Sequence, residues 1–130
     1  MRHVEMDMPP IALVVDDSML VRHTVCRFLE ARGYEVESST NGAEALQMVG
    51  CVRPDLIITD MIMPRMTGTE LITALKSNPT TASIPIIIVA GRASAVEARN
   101  ETRANYVIYK DIDVVAQLEK ALAKIFAPTC

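Results

Sequence analysis

The stretch Ile11-Ala12-Leu13-Val14-Val15-Asp16-Asp17-Ser18 sets five apolar residues directly before two aspartates. Five residues are too few for a typical helix, and the run is continuous rather than alternating, so both faces of the segment call for burial. A parallel sheet covered by helices on both sides has this requirement. Two further runs of the same kind follow, Leu56 to Thr59 and Ile86 to Val89. Tyr106 to Tyr109 reads as another strand. Tyr34 to Ser38 alternates, with Tyr34, Val36 and Ser38 against Glu35 and Glu37, as a half-exposed edge strand does.

Helical patterns lie between the strands. Val21, Val25, Phe28 and Leu29 recur at helical spacing after Ser18, a suitable N-cap, and stop at Gly33. Asn41-Gly42 leads into a short helix over Ala43 to Val49, and Leu71, Ile72 and Leu75 mark a third that ends near Asn78-Pro79. Ser94 to Arg103 has only Val96 as a large apolar residue, which predicts a short or poorly anchored fourth helix. Val114, Val115, Leu118, Leu122, Ile125 and Phe126 are assigned to one face of the last. Strands alternating with helices, joined by right-handed crossovers, predict an α/β fold. The expected architecture is a flavodoxin-like, doubly wound (βα)5 three-layer sandwich whose parallel five-stranded sheet runs in the order 2-1-3-4-5. One domain is expected over 11–126, between an N-terminal tail, 1–10, and a C-terminal tail, 127–130. With four residues beyond Phe126 in the sequence, no output domain is expected within it.

Composition narrows the function classes. Half of the 130 residues are hydrophobic, enough for one core. The apolar runs are far shorter than the ~20 residues of a membrane span. Met1 to Pro10 carries Arg2, His3, Glu5 and Asp7 without an apolar secretory segment, so a soluble, cytoplasmic protein is expected, with no membrane partner. A net charge of −3, with no Lys/Arg cluster on any predicted helix, argues against direct contact with nucleic acid and for a protein partner. Cys26, Cys51 and Cys130 are too widely spaced for a zinc site or a disulfide framework; buried small hydrophobes or a loose tail thiol are expected.

Ligands of such sheets bind beyond the carboxyl ends of the strands. Strand one ends in Asp16-Asp17, strand three in Asp60 and strand five in Lys110. Taken singly, the aspartates read as loop and cap residues and Lys110 as a solvated charge. Jointly placed, they make one cleft, because strands one and three are neighbours at ~4.8 Å. Carboxylates so crowded need a cation, and Mg2+, a hard ion that keeps several waters and takes one or two carboxylates, suits them. Asp60 is then placed to attack phosphorus as a nucleophile, and Lys110 to reach in and pair with a phosphate oxygen.

The run Val14-Val15-Asp16-Asp17-Ser18, the segment Asp60-Met61-Ile62-Met63-Pro64-Arg65-Met66-Thr67-Gly68 and Asn41-Gly42-Ala43-Glu44-Ala45-Leu46 resemble the response-regulator receiver domains of chemotaxis type, over residues ~11 to ~126. The resemblance implies Asp60 as phosphoacceptor and Lys110 as phosphate contact. It further implies a metal site of Asp16, Asp17, Asp60 and the Ile62 backbone carbonyl, with Asp17 and Asp60 as the stronger direct ligands. The implied donor is a phosphohistidine on a sensor histidine kinase or a histidine phosphotransfer protein, and receivers also dephosphorylate themselves with water.

Three departures concern the reading of the phosphate rather than its acceptance. The Thr or Ser usual at the end of strand four is Ala90, with Ser94 as a weak substitute that more naturally caps the fourth helix. Lys-Pro becomes Lys110-Asp111, for which a trans peptide bond is expected. The aromatic residue usual three positions before the lysine is Val107, flanked by Tyr106 and Tyr109, and Tyr106 would serve only if strand five held a bulge. Ile62 and Arg92 are expected to flank the approach of hydrolytic water and slow hydrolysis; equal decay rates in wild type and Ile62→Asn would refute this. The leading expectation is a phosphorylated receiver with altered coupling, and the alternative a degenerate receiver acting as a phosphorylation-independent interaction module. An independent enzyme is least supported, since no P-loop or dinucleotide fingerprint occurs and Ile62 stands where a phosphatase would carry its second acid.

Overall fold

The computed structural model describes residues 8–126; residues 1–7 of the expected N-terminal tail and all of the expected C-terminal tail, 127–130 with Cys130, lie outside the described residues. Five parallel strands, β1 (Ile11–Val15), β2 (Glu35–Ser39), β3 (Leu56–Asp60), β4 (Ile86–Ala90) and β5 (Tyr106–Tyr109), form one sheet in the order β2-β1-β3-β4-β5. Helices α1 (Met19–Ala31), α2 (Gly42–Val52), α3 (Gly68–Ser77), α4 (Ala95–Asn100) and α5 (Val114–Ile125) alternate with them. The expected flavodoxin-like order is the order found.

Successive strand residues point to opposite faces, and each face meets its own helices. Leu13, Val15, Ile57, Ile86 and Ile88 pack with Ala45 and Val49 of α2 and with Leu71, Ile72 and Leu75 of α3. Ala12, Val14, Ile58, Ile87 and Val89 pack with Val25 and Leu29 of α1 and with Leu118, Ala121 and Leu122 of α5. Every residue of β3 and β4 is buried, which accounts for their unbroken apolar runs. Each fully buried Leu or Ile contributes about 1.5–3 kcal/mol, so these central strands hold the sheet together.

Caps set the helix starts. The Ser18 hydroxyl accepts from the Val21 amide at 3.4 Å, the Asn41 side chain from Glu44 at 2.8 Å, and Asp113 from Ala116 at 3.1 Å. Thr67 and Glu70 form a reciprocal capping box at α3. Gly33, at φ 92°, ends α1 as expected.

Several boundaries differ from the sequence reading, each for a local reason. Strand β2 starts at Glu35 rather than Tyr34, because the Tyr34 amide is spent on the Leu29 carbonyl that closes α1. The expected alternation then fails at its end, where Ser38 is exposed and Ser39 buried. Helix α2 runs through Gly50 to Val52; one interior glycine costs only ~1 kcal/mol, too little to end a packed helix. Helix α4, by contrast, is short as expected, six residues long, with Val96 exposed and Ala98 the residue buried there. In α5, Val115 and Phe126 leave the buried face, the latter because its backbone departs from the helix at the C-cap. Cys26 is half-buried and Cys51 exposed, so neither is the fully buried thiol expected. The β4–β5 register is continuous, pairing Ile87 with Tyr106 through to Ala90 with Tyr109, so no bulge brings Tyr106 across. Tyr106 packs on the α1–α5 side, whereas Val107 and Tyr109 pack on the other. No cis peptide bond occurs among the described residues, Lys110-Asp111 included.

Candidate functional site

Strands β1 and β3 pair directly, Val15 opposite Thr59, so the residues that follow them leave the sheet side by side. Asp16, Asp17 and Asp60 thereby bring one carboxylate oxygen each to within 4.8 Å of one another. Asp16 and Asp60 are buried, at 2% and 4% exposure, and Asp17 is exposed. Lys110, arriving from β5, places its ammonium 2.9 Å from Asp60 Oδ2 and 3.4 Å from Asp16 Oδ2. Its long stem crosses the sheet as expected. Three carboxylates against one ammonium leave the cluster electron-rich.

The backbone holds the acids in place. The Asp60 Oδ1 accepts the Met61 amide at 2.8 Å, and Asp16 Oδ1 accepts the Ser18 amide at 2.8 Å. Asp16 is also fixed by its main chain: its amide donates to the Ser39 carbonyl at 3.1 Å, and its own carbonyl accepts from Arg22 Nη1 at 2.8 Å. Arg22 has no strand-end signature and the sequence reading missed it. Asp16 Oδ2 is buried and makes no hydrogen bond among the described residues, where its one contact is the longer ionic one to Lys110. Such an oxygen is costly unless something else satisfies it. A hard divalent cation fits this donor set, with an orphaned buried oxygen and an exposed carboxylate opening to water.

The loop after β3 is shaped around Asp60. A Cβ at Gly68 would collide with the Asp60 carbonyl oxygen and stand 2.9 Å from Met61 Cα, while the Gly68 amide donates to the Met61 carbonyl at 2.8 Å. A Cβ at Gly42 would lie 2.6 Å from the Met66 carbonyl oxygen, so the Asn41-Gly42 segment touches the Asp60–Gly68 run across the fold. Arg65 takes a left-handed backbone at φ 73° in the same loop. Ile62 is 56% exposed, and its carbonyl accepts no hydrogen bond among the described residues.

A family model for the Response regulator receiver domain matches residues 12–123. The chain belongs to the response regulator receiver domain family. Its curated relatives include Response regulator MprA of Mycolicibacterium vanbaalenii, 40% identical over 90 residues, which are 69% of this chain and 38% of that protein. The MprA of Mycobacterium bovis is 41% identical over 85 residues, 65% of this chain and 36% of the other. The chain thus spans well under half the length of these relatives. Among solved structures it resembles chemotaxis response regulator CheY4 of Vibrio cholerae, with TM-score 0.79 and 30% identity over 92% of this chain and 100% of that one. The signal receiver domain of a signal transduction histidine kinase from Syntrophus aciditrophicus gives TM-score 0.76 and 30% identity, covering 92% and 95%. No helix of the described receiver domain is long and apolar enough to cross a membrane.

The receiver domain's departures have definite positions. Ala90 is fully buried in the core on the α2–α3 side, its methyl group part of that packing. Ser94 stands at the N-cap position of α4, yet its hydroxyl makes no capping hydrogen bond. Arg92 and Asp111, from the loops after β4 and β5, form an ion pair at 3.8 Å that the sequence reading did not foresee. A groove of about 490 Å3 between α2 and α3, lined by Leu46, Arg53, Thr81 and Ile84, lies at the opposite end of the sheet from the acids.

Burial pushes the Asp16 carboxyl up from 3.8 to about 6; the Ser18 amide bond opposes the rise, the charge of Asp60 adds to it, and Lys110 restrains it. For Lys110, burial works against the ammonium, but the hydrogen bond to Asp60 and the charges of Asp16 and Asp60 outweigh it and raise its pKa. A carboxyl with a higher pKa folded than unfolded destabilises the fold when charged. Its penalty is in full force above about 6 and is relieved as pH falls towards 3.8. Subtracting the melting profile of Asp16→Asn from that of the metal-free receiver domain should leave a stability that rises with acidification across this window. A flat difference would contradict the Asp16 environment described here.

Proposed function

We propose that this receiver domain accepts a phosphoryl group on Asp60 from a phosphohistidine donor, with Mg2+ held by Asp16, Asp17, Asp60 and the Ile62 carbonyl, and signals through protein contacts in the cytoplasm. The observation that carries this reading is the Lys110–Asp60 contact at 2.9 Å inside a carboxylate cluster that keeps one buried oxygen unsatisfied. A carboxylate oxygen of Asp60 attacks phosphorus, the P–N bond to the donor imidazole breaks, and its electron pair returns to the ring nitrogen. Lys110 keeps its ammonium on the oxygens at Asp60 and offsets the added negative charge. The Met61 amide, already bonded to Asp60 Oδ1, orients the carboxylate. Bound Mg2+ supplies charge neutralisation for the transferred group. The same residues permit slow return of the phosphoryl group to water, with Ile62 at the exposed lip.

The donor is a sensor histidine kinase or a histidine phosphotransfer protein. Met19 and Leu20, at the start of α1, and Ile112, after β5, are 74%, 76% and 60% exposed at the same end of the sheet as Asp60. Large apolar side chains left in water beside a polar cleft suit a protein surface brought against it. Leu20→Glu should therefore slow transfer from a phosphorylated histidine protein at least tenfold while leaving acetyl phosphate as effective as before; equal slowing with both donors would exclude this surface.

The second reading, a phosphorylation-independent interaction module, draws on Ala90, whose buried methyl group leaves no hydroxyl at that position. One experiment separates the two. Incubation with Mg2+ and a small phosphodonor, followed by intact mass, should add one phosphoryl group to the wild type and none to Asp60→Asn. No Asp60-dependent adduct would favour the module.

A further inference from the structure

Arg92 and Asp111 follow the neighbouring strands β4 and β5 at the end of the sheet that carries Asp60. Ala90 pairs with Tyr109, and the Lys110 amide donates to the Ala90 carbonyl at 2.9 Å, so the two loops start from one fixed point. Lys110, bonded to Asp60, directly precedes Asp111; β4 is also the neighbour of β3, with Asp60 opposite Val89. The ion pair across these loops is long, at 3.8 Å, and open, with side-chain exposures of 93% and 57%. Exposed pairs of this kind are worth little and exchange readily.

The segment bearing Arg92 is itself lightly held up to Ser94, which is buried. Gly91 has open space where a Cβ would stand, the turn Arg92–Ser94 has no side-chain cap, and α4 is six residues long. A guanidinium bonds a phosphate dianion through two parallel N–H groups, more strongly than it bonds one exposed carboxylate. Ala90 offers no competing hydroxyl there.

Resting on the reading of Asp60 as phosphoacceptor, we propose that Arg92 is an exchangeable phosphate contact: Asp111 holds it in the resting protein, and it moves to the phosphoryl group on Asp60, drawing residues 91–95 inward. Asp111, in the position after Lys110, is then a competitor for Arg92 as well as a loop residue. No bond is made or broken beyond the transfer already described; one ion pair replaces another.

The test is titration with beryllofluoride and Mg2+, followed through backbone amide signals, beside intact mass after acetyl phosphate treatment. In the wild type the signals of Ala93, Ser94 and Ala95 should move. In Arg92→Ala half-saturation should need several-fold more beryllofluoride and those three signals should stay in place. Asp111→Ala should lower half-saturation roughly two- to fivefold, the scale an exposed ion pair allows. That gain should vanish when Asp111→Ala is made in Arg92→Ala. Equal movement of residues 93–95 without Arg92, or an equal gain from Asp111→Ala in both backgrounds, would overturn the exchange while leaving Asp60 as acceptor. Absence of an Asp60-dependent adduct in the wild type would overturn both.

Discussion

Lys110→Ala should lower the stability of the metal-free protein by about 2 kcal/mol at neutral pH and, at the same time, tighten Mg2+ binding several-fold. Removing one partner of a buried ion pair leaves the other charge unsatisfied, at a cost of 3–5 kcal/mol where both are fully buried. The smaller figure reflects the 23% exposure that the Lys110 side chain retains. Asp60 and Asp16, now at 6% and 3% side-chain exposure, would lose the ammonium that pairs with their carboxylates, since Arg22 bonds the main-chain carbonyl of Asp16 instead. A divalent ion would then meet a cluster with one less positive charge opposing it. Urea unfolding with and without Mg2+ gives both numbers. If stability and Mg2+ affinity fell together, Lys110 would be acting as a scaffold of the metal site rather than as its stand-in.

The second large effect is expected at Gly68. Gly68→Ala should cost about 3 kcal/mol or more, the scale of severe overpacking, because the added methyl meets the Asp60 carbonyl and Met61 Cα, backbone atoms that have no rotamer to escape into. The same exchange at Gly50, inside α2 with nothing within 4 Å of the new carbon, should stabilise by roughly 0.5–1 kcal/mol. Chemical denaturation of both variants checks the pair. A mild Gly68→Ala would mean that the loop after β3 yields more easily than its contacts imply.

What the sequence made legible follows from which signals are local. β1, β3 and β4 are read correctly because burial on both faces writes itself as an uninterrupted apolar run. Asp16, Asp17, Asp60 and Lys110 come together because strand ends in a parallel sheet have a predetermined side. Helix α4 is read as short, as it is, but its anchor is hidden: Ala98 is the residue buried there, and a small residue carries no periodic signal. The start of β2 is hidden by a hydrogen bond from Tyr34 back into α1. The grip of Arg22 on the Asp16 carbonyl and the Arg92–Asp111 pair depend on side-chain reach, which spacing along the chain does not encode.

The contact between Gly42 and Met66 bears on how this chain can be re-engineered. With the Met66 carbonyl 2.6 Å from the place of a Cβ at position 42, residues 41–46 and 60–68 are not interchangeable parts. A chimera that imports the loop after β3 from a relative, while retaining this chain's α2, inherits a fit negotiated elsewhere. Recombination breakpoints should therefore keep both segments on the same parental side, even though the thirteen residues 47–59, of helix, loop and strand, separate them.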